Sequence, residues 1–228
     1  MDNIFNFPTT TLVSQNVPKK AFYGRSNDSS LRDYLTHGFE SITWLYKLSA
    51  ATLNVEDSER VHEIDIFYCK MKEDFYSINP FYSIDQLFPR QTLFIIEYDG
   101  KLDLLMHHKE KTVVKGEEKW IQGVTELKRD IHLDIDALKI LGLSMDSVYY
   151  SLLSQVSGLT ATTEEEYKEQ ADLRKQIESL QKQVSTFQKK IRLEKQFNRQ
   201  MEMNAETRKL KRELTLLNEQ LKKKQHII

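Results

Sequence analysis

Apolar residues change their spacing once along this chain, and the change divides it. From Thr163 to Gln225 a single seam recurs at alternating steps of four and three. Leu173, Ile177, Leu180, Val184, Phe187 and Ile191 form one block, and Met203, Thr207, Leu210, Leu214, Leu217 and Leu221 form a second. Such steps place side chains on one stripe of an α-helix. With Leu173 at a d position, Ile177, Val184 and Ile191 fall at a, and β-branched a residues with Leu at d favour two parallel strands. The second block carries Thr and Leu at a and specifies partner number less. The blocks are out of register, because seven-residue steps from Ile191 reach 198 and 205 whereas the second block needs an a position at 207. That offset is neither a four-residue stutter nor a three-residue stammer. Between the blocks Leu193, Phe197 and Met201 make a stripe on another face. One unbroken homodimeric coiled coil therefore fits poorly. Either the helix turns back near Asn204 as a hairpin, or its seam changes partner there. A straight arm would span roughly 95 Å and would need a partner to stand.

Before the arm the pattern is mixed. Residues 1–25 have no clear period and read as an irregular arm or edge segment. Asn27 to Ser30 offer caps for a helix over 29–49, with Leu31, Leu35, Phe39, Ile42 and Tyr46 on one face. Val61 to Met71 is rich in β-formers and reads as a strand. A helical turn is expected at 83–88, ending at Pro89. Thr92–Tyr98 and Lys101–Met106 flank Asp99-Gly100, a pair suited to a type I′ hairpin turn. Further strands are expected at 111–114 and 118–124, and helices at 134–141 and 145–157. The order predicts an α+β fold, a small and largely antiparallel sheet with packed helices, followed by a long C-terminal coiled-coil helix or helical hairpin. The expected division is a globular domain over 1–157, a linker over 158–162 and the arm over 163–228. All four prolines and all seven glycines precede residue 159, and Thr163 with Glu166 fits a capping box at the start of the arm.

Charge sharpens the division. The chain carries a formal net charge of -1, yet residues 163–228 hold 16 Lys+Arg against 11 Asp+Glu, and residues 1–162 hold 17 against 23. An acidic body bears a basic arm, which is also what a solvated helical surface looks like. The single cysteine, Cys69, excludes an internal disulfide and a Cys-based zinc site. No basic leader with an apolar stretch opens the chain, and no apolar run approaches the ~18–20 residues of a bilayer span. A cytoplasmic protein without membrane contact is the expectation.

Catalytic motifs are scarce. No phosphate-binding glycine loop, dinucleotide fingerprint or helical zinc motif is present, and no cofactor or metal is expected. His107-His108 are adjacent on a strand and point to opposite faces, a poor start for shared metal ligation; they read as exposed strand residues. Asp65, Glu97, Asp103 and Lys109 are the types a divergent Mg²⁺-dependent nuclease places on neighbouring strands, with Glu97, Asp103 and Lys109 as its candidate catalytic set. They also read as charges on the solvent face of a sheet. Lys19, Lys20 and Arg25 interleave with Phe22 and Tyr23, a pattern that can contact phosphates and stack on bases or pack aromatics onto the parent domain. Trp44 and Trp120 read as core.

Several short segments resemble a known family. They are Val17-Pro18-Lys19-Lys20 with Phe22-Tyr23, then Trp44, Lys47-Leu48, Thr52 and Asn54. Val61-His62-Glu63-Ile64 and Ile84-Asp85 leading through Pro89 to Leu93-Phe94 follow. Glu194 to Arg199 and Met203-Asn204 complete the set. The likeness is to the bacterial domain of unknown function family 4391. The resemblance implies an accessory subunit of restriction-like, anti-phage loci, encoded beside helicases and DNA methyltransferases. It marks Phe197-Asn198-Arg199 and Asn204, at the register break, as a specified contact. The expected function is thus a non-catalytic interaction subunit of a DNA-targeting complex. Its expected partner-binding residues are Leu173, Ile177, Leu180, Val184, Phe187, Ile191, Phe197, Asn198, Arg199, Met201, Asn204, Leu210, Leu214, Leu217 and Leu221. They would pair with a helicase or methyltransferase subunit or with a second copy, and contact with DNA would be indirect. The alternatives are the nuclease and a DNA-binding accessory subunit.

Overall fold

In the computed structural model, residues 3–24, 28–114 and 117–225 are described, the side chains of 111–120 excepted. The chain divides into two compact units, Met1–Gly158 and Leu159–Ile228.

The first unit is built on a six-stranded sheet in sequence order, β1 (Leu12–Asn16), β2 (Phe39–Ser49), β3 (Glu63–Met71), β4 (Gln91–Tyr98), β5 (Lys101–Val114) and β6 (Glu117–Lys128). Every neighbouring pair is antiparallel except β3 and β4, which run parallel. A parallel pair needs a crossover, and residues 72–90 supply it with α4 (Asn79–Gln86), whose second residue is Pro80. Between β4 and β5 the expected turn is present, with positive φ at Asp99 (47°) and Gly100 (69°) as a type I′ turn requires. The segment read as irregular contains β1, an edge strand, and α1 (Lys20–Tyr23).

Odd-numbered positions of β3 and their partners on β4 and β5 face one layer. Phe67, Cys69, Phe94, Ile96 and Leu105 pack there with Leu31 and Leu35 of α2 (Ser29–Gly38), and with Phe81 and Ile84 of α4. The opposite positions, among them Ile64, Ile66, Leu93, Ile95, Leu104 and Met106, are equally buried. On that side α6 (Met145–Ser157) packs on β5 and β6. Two short helices, α3 (Ala50–Leu53) and α5 (Leu133–Asp136), lie in connections. Burial on both faces explains the long apolar runs in β3 and β4, which alternation alone would not produce.

The expected helix over 29–49 is only half present. It ends at Gly38, and Phe39 begins β2. The strand carries two register shifts, between Phe39 and Ser41 and between Trp44 and Tyr46. The first shift keeps Phe39 and Ile42 on one face at a three-residue step, and the second sends Tyr46 to the other face, which is also buried, so burial on both faces of a bulged strand supplies the helix-like spacing.

The second unit is a helical hairpin. Thr163 caps α7 (Glu164–Leu193) through the capping box with Glu166, and α8 (Phe197–Gln225) packs back along it. The turn is Glu194-Lys195-Gln196, not Asn204. The Glu194 carboxylate accepts from the backbone N–H groups of Lys195 and Gln196, both at 2.9 Å. Gln200 Nε2 donates to the carbonyls of Ile191 (3.2 Å) and Glu194 (2.9 Å). An ion pair between Lys224 and Glu169 joins the far ends. Ile177, Leu180, Val184 and Thr207 are buried, and the other seam residues of both blocks are half-buried. The two seams are therefore the facing sides of two antiparallel helices. No heptad register has to continue across the turn, which accounts for the two-residue offset.

Phe94 is 1% exposed at the centre of the sheet, in edge contact with Phe81 (centroids 5.3 Å apart). Truncation to Ala should cost about 3–5 kcal/mol, read as a lower urea midpoint at unchanged slope.

Candidate functional site

Polar side chains collect at one end of the sheet, on the face covered by α4. Asp65 of β3 pairs in register with Thr92 of β4 and with Lys47 of β2, so the three share a face. His107 and Lys109 of β5 follow on the same face, and both are buried. Asp85, near the end of α4 and fully buried, meets this row. Its carboxylate is 2.7 Å from Lys109 Nζ, accepts from Gln122 Nε2 at 2.7 Å, and lies 3.3 Å from His107 Nδ1.

Lys109 is the organiser. Its ammonium donates to the backbone carbonyls of Asp85 (3.0 Å), Phe88 (3.1 Å) and Arg90. These carbonyls end α4 and line the loop after it, a place a cation suits, and that of Asp85 also accepts from Phe88 N at 3.2 Å. Burial pulls the Lys109 pKa down and Asp85 holds it up.

The loop so fixed presents Arg90, which pairs with Glu63 and, at 3.4 Å, with Asp65. Lys47 reaches Glu63 at 2.7 Å. Burial pushes the Asp65 carboxyl up to about 6, reinforced by the charge of Glu63 and opposed by Arg90 and Lys47. Beside Asp65 is a cavity of about 270 Å³ walled by Phe22, Trp44, Phe67 and Phe88 and bordered by Arg90. Its rim includes exposed Ala21, Pro89 and Arg90, so it opens to solvent. Asp65 Oδ1 and Trp44 Nε1 are buried with no hydrogen-bond partner. Pro89 and Arg90 also line a second cavity of about 340 Å³ with Glu59, Arg60 and Glu63.

The residues named as a nuclease set do not converge. Glu97 pairs with Leu102, one position out of phase with the Ile96–Asp103 pair, so it faces the other side of the sheet from Asp103. There Tyr68 OH donates to it at 2.6 Å. Asp103 is buried and closes a loop, accepting from Tyr76 OH (2.5 Å), Tyr98 OH (3.3 Å) and Asp130 N (2.8 Å). Lys109 shares its face but stands six residues along β5, about 20 Å away. Asp65, Asp103 and Lys109 are buried rather than solvent-facing, and so are His107 and His108. The two histidines do point to opposite faces, His107 against Tyr82 and His108 against Tyr150. Burial pushes the Cys69 thiol up and leaves it inert.

Lys19 donates to the carbonyl of Phe39 at 2.5 Å, a structural use, while Lys20 is exposed. Arg25 and the side chain of Trp120 lie outside the described residues. Trp44 is half-buried against the core and on the cavity wall. The sequence offered Asp65 and Trp44 separately. What it hid was Arg90 and the aromatic walls, since the loop after α4 has no local pattern.

On the hairpin, the expected contact residues fall into two sets. The seam residues from Leu173 to Ile191 and from Leu210 to Leu221 line the interface between α7 and α8. Phe197, Asn198, Arg199, Met201 and Asn204 are exposed. With Leu193 they surround the turn.

Against known proteins, residues 5–214 match the family described as Domain of unknown function (DUF4391). The chain belongs to that family. No curated protein and no solved structure matches it.

A carboxyl raised on folding makes the native state the better proton acceptor, so its contribution opposes folding at neutral pH and is relieved as pH falls through about 6. The stability gap between wild type and Asp65→Asn should therefore shift in favour of wild type by about 1.5 kcal/mol from about pH 7.5 to pH 5. Urea titrations of both proteins across that range measure it.

Proposed function

We propose that this family member is a non-catalytic interaction subunit that docks a protein partner through the turn end of its helical hairpin. One observation carries the reading. Leu193, Phe197 and Met201 are 82%, 72% and 55% exposed around a turn held by Glu194 and Gln200. Three large apolar side chains on a rigid support are what a hot-spot cluster needs. Phe197 and Met201 are one turn apart on α8 and share a face.

The surroundings describe the partner. Lys189, Lys190, Arg192, Lys195 and Arg199 are exposed around the same turn, so the complementary surface is an apolar pocket with an acidic rim. Leu193 and Met201 have no ring with which to stack on a base, which favours protein over nucleic acid. The family resemblance suggests a helicase or DNA methyltransferase subunit of a restriction-like defence complex. Pairing with a second copy through the Leu173–Ile191 seam would require the hairpin to open, because α8 already occupies that seam.

Co-expression with helicase and DNA methyltransferase subunits of a restriction-like locus tests this. Phe197→Ala should weaken the pairing at least tenfold, and Leu193→Ser with Phe197→Ser and Met201→Ser should abolish it. Helix content should stay unchanged, since these residues do not line the seam. Association with neither subunit, or a triple variant that binds as wild type, would sink the proposal.

A further inference from the structure

The two edges of the sheet are unlike. β1 has five residues and a positive φ (50°) at Ser14, the short, kinked form that keeps an edge from pairing further. β6 has 12 residues and no proline, and no strand among the described residues pairs with its outer side. A row of outward N–H and C=O groups of that length is a template for another strand. Ile121 and Val124, at its middle, are 50% and 46% exposed.

The register of β6 on β5 carries a bulge. Gln122 stands opposite Lys109 and Thr125 opposite His107, so Gly123 and Val124 together face His108. One extra residue reverses the alternation beyond it. Before the bulge Glu117, Lys119 and Ile121 share a face, opposite Val114, Thr112 and Glu110. Beyond it the same face carries Glu126 and Lys128, opposite Met106 and Leu104. The other face carries Glu118, Trp120, Gln122, Thr125 and Leu127.

We propose that β6 pairs with β6 of a second copy, antiparallel about a two-fold axis through Gln122, so that two sheets become one. Such an axis keeps every residue on its own face, and residues paired across it must therefore come from the same face. An unbulged strand could not meet that condition with Glu117 against Lys128, which are an odd number of residues apart. The bulge meets it. The resulting pairs are Glu117 with Lys128, Glu118 with Leu127, Lys119 with Glu126, and Trp120 with Thr125. At the centre Ile121 lies against the bulge residues Gly123 and Val124, and Gln122 faces its own copy.

The charges choose this register. A slip of two residues one way sets Glu117 against Glu126, and the other way sets Lys119 against Lys128. Like charges directly opposite each other are unfavourable. A slip of one residue crosses faces, and parallel pairing in register sets every charge against its own copy. Glu126 is buried and Lys128 also holds Asp136 at 2.8 Å. The charges therefore discriminate between registers, while the main-chain ladder and the contact of Ile121 with Val124 supply the affinity. A strand of another protein would cover the same edge, but only a second copy explains why β6 complements itself. The interface is separate from the hairpin turn, and either proposal stands without the other.

Sedimentation of the full chain should show a dimer that dissociates on dilution. Ile121→Asp with Val124→Asp should weaken it at least tenfold while thermal unfolding stays near wild type, because both residues are exposed. Glu117→Lys sets a second lysine against Lys128 and should weaken the dimer, and adding Lys128→Glu should restore it. Cysteine cross-linking reads the register directly, since the native Cys69 is buried. Gln122→Cys should form a disulfide between copies on oxidation, and Thr125→Cys, which faces Trp120, should not. A chain that stays monomeric at every concentration overturns the proposal. So does a dimer unmoved by the double Asp variant, or cross-linking by Gln122→Cys and Thr125→Cys alike.

Discussion

An ammonium without water has to be surrounded by acceptors, and in this fold Lys109 is surrounded by the end of a helix. Its partners are the Asp85 carboxylate and the carbonyls of Asp85, Phe88 and Arg90. Taking such a charge out of water costs several kcal/mol unless geometry and hydrogen bonds compensate. The compensation here is supplied by backbone, which means that the charge and the path of the chain from α4 into β4 specify each other. Without Lys109 the loop 87–90 loses its common anchor. Without the loop, a buried cation has too few acceptors.

The consequences spread outward from that anchor. Arg90 is delivered to Glu63 and Asp65, and Phe88 and Pro89 are delivered to the cavity wall. The parallel pairing of β3 and β4 then sets Asp65 opposite Thr92. Four charged residues on two strands and a loop, Lys47, Glu63, Asp65 and Arg90, thus form one network. It is closely balanced, with Glu63 and Asp65 against Lys47 and Arg90. Such a network holds the loop after α4 against β3, with the carboxyls of Glu63 and Asp65 coupled side by side.

Much of this was legible in the chain. The hairpin at Asp99-Gly100, the helix at 145–157, the capped start of the arm and its two seams all have local signals, because turn chemistry and helical period act over a few residues. The α+β class followed from their order. Less was legible where distant segments decide. A bulged strand buried on both faces imitates a helical period, so Phe39, Ile42 and Tyr46 read as helix until the pairing with β3 shows Tyr46 on the other face. The turn at Glu194–Gln196 contains neither Gly nor Pro, and the carboxylate of Glu194 does the work those residues usually do. The buried charges were invisible for a different reason. Asp85, Asp103 and Lys109 look like surface residues because composition shows their cost and not their partners, which lie 24 and 27 residues away in Lys109–Asp85 and Tyr76–Asp103.

The parallel pair also separates the two halves of the polar network along the chain. The meander β4–β5–β6 joins neighbours in sequence and can close early, whereas β3 can pair with β4 only after the crossover has been drawn back across the sheet. Contacts separated by longer stretches of chain form more slowly, because loop closure precedes any return from pairing. Lys109 rides on the early meander and its carbonyl partners on the late crossover. A sheet from which α4 had undocked would leave that ammonium without its carbonyl acceptors, so the docking of α4 and the burial of Lys109 require each other. The same docking brings Phe88 and Pro89 to the wall beside Asp65, so the polar end of the sheet stands or falls as a unit.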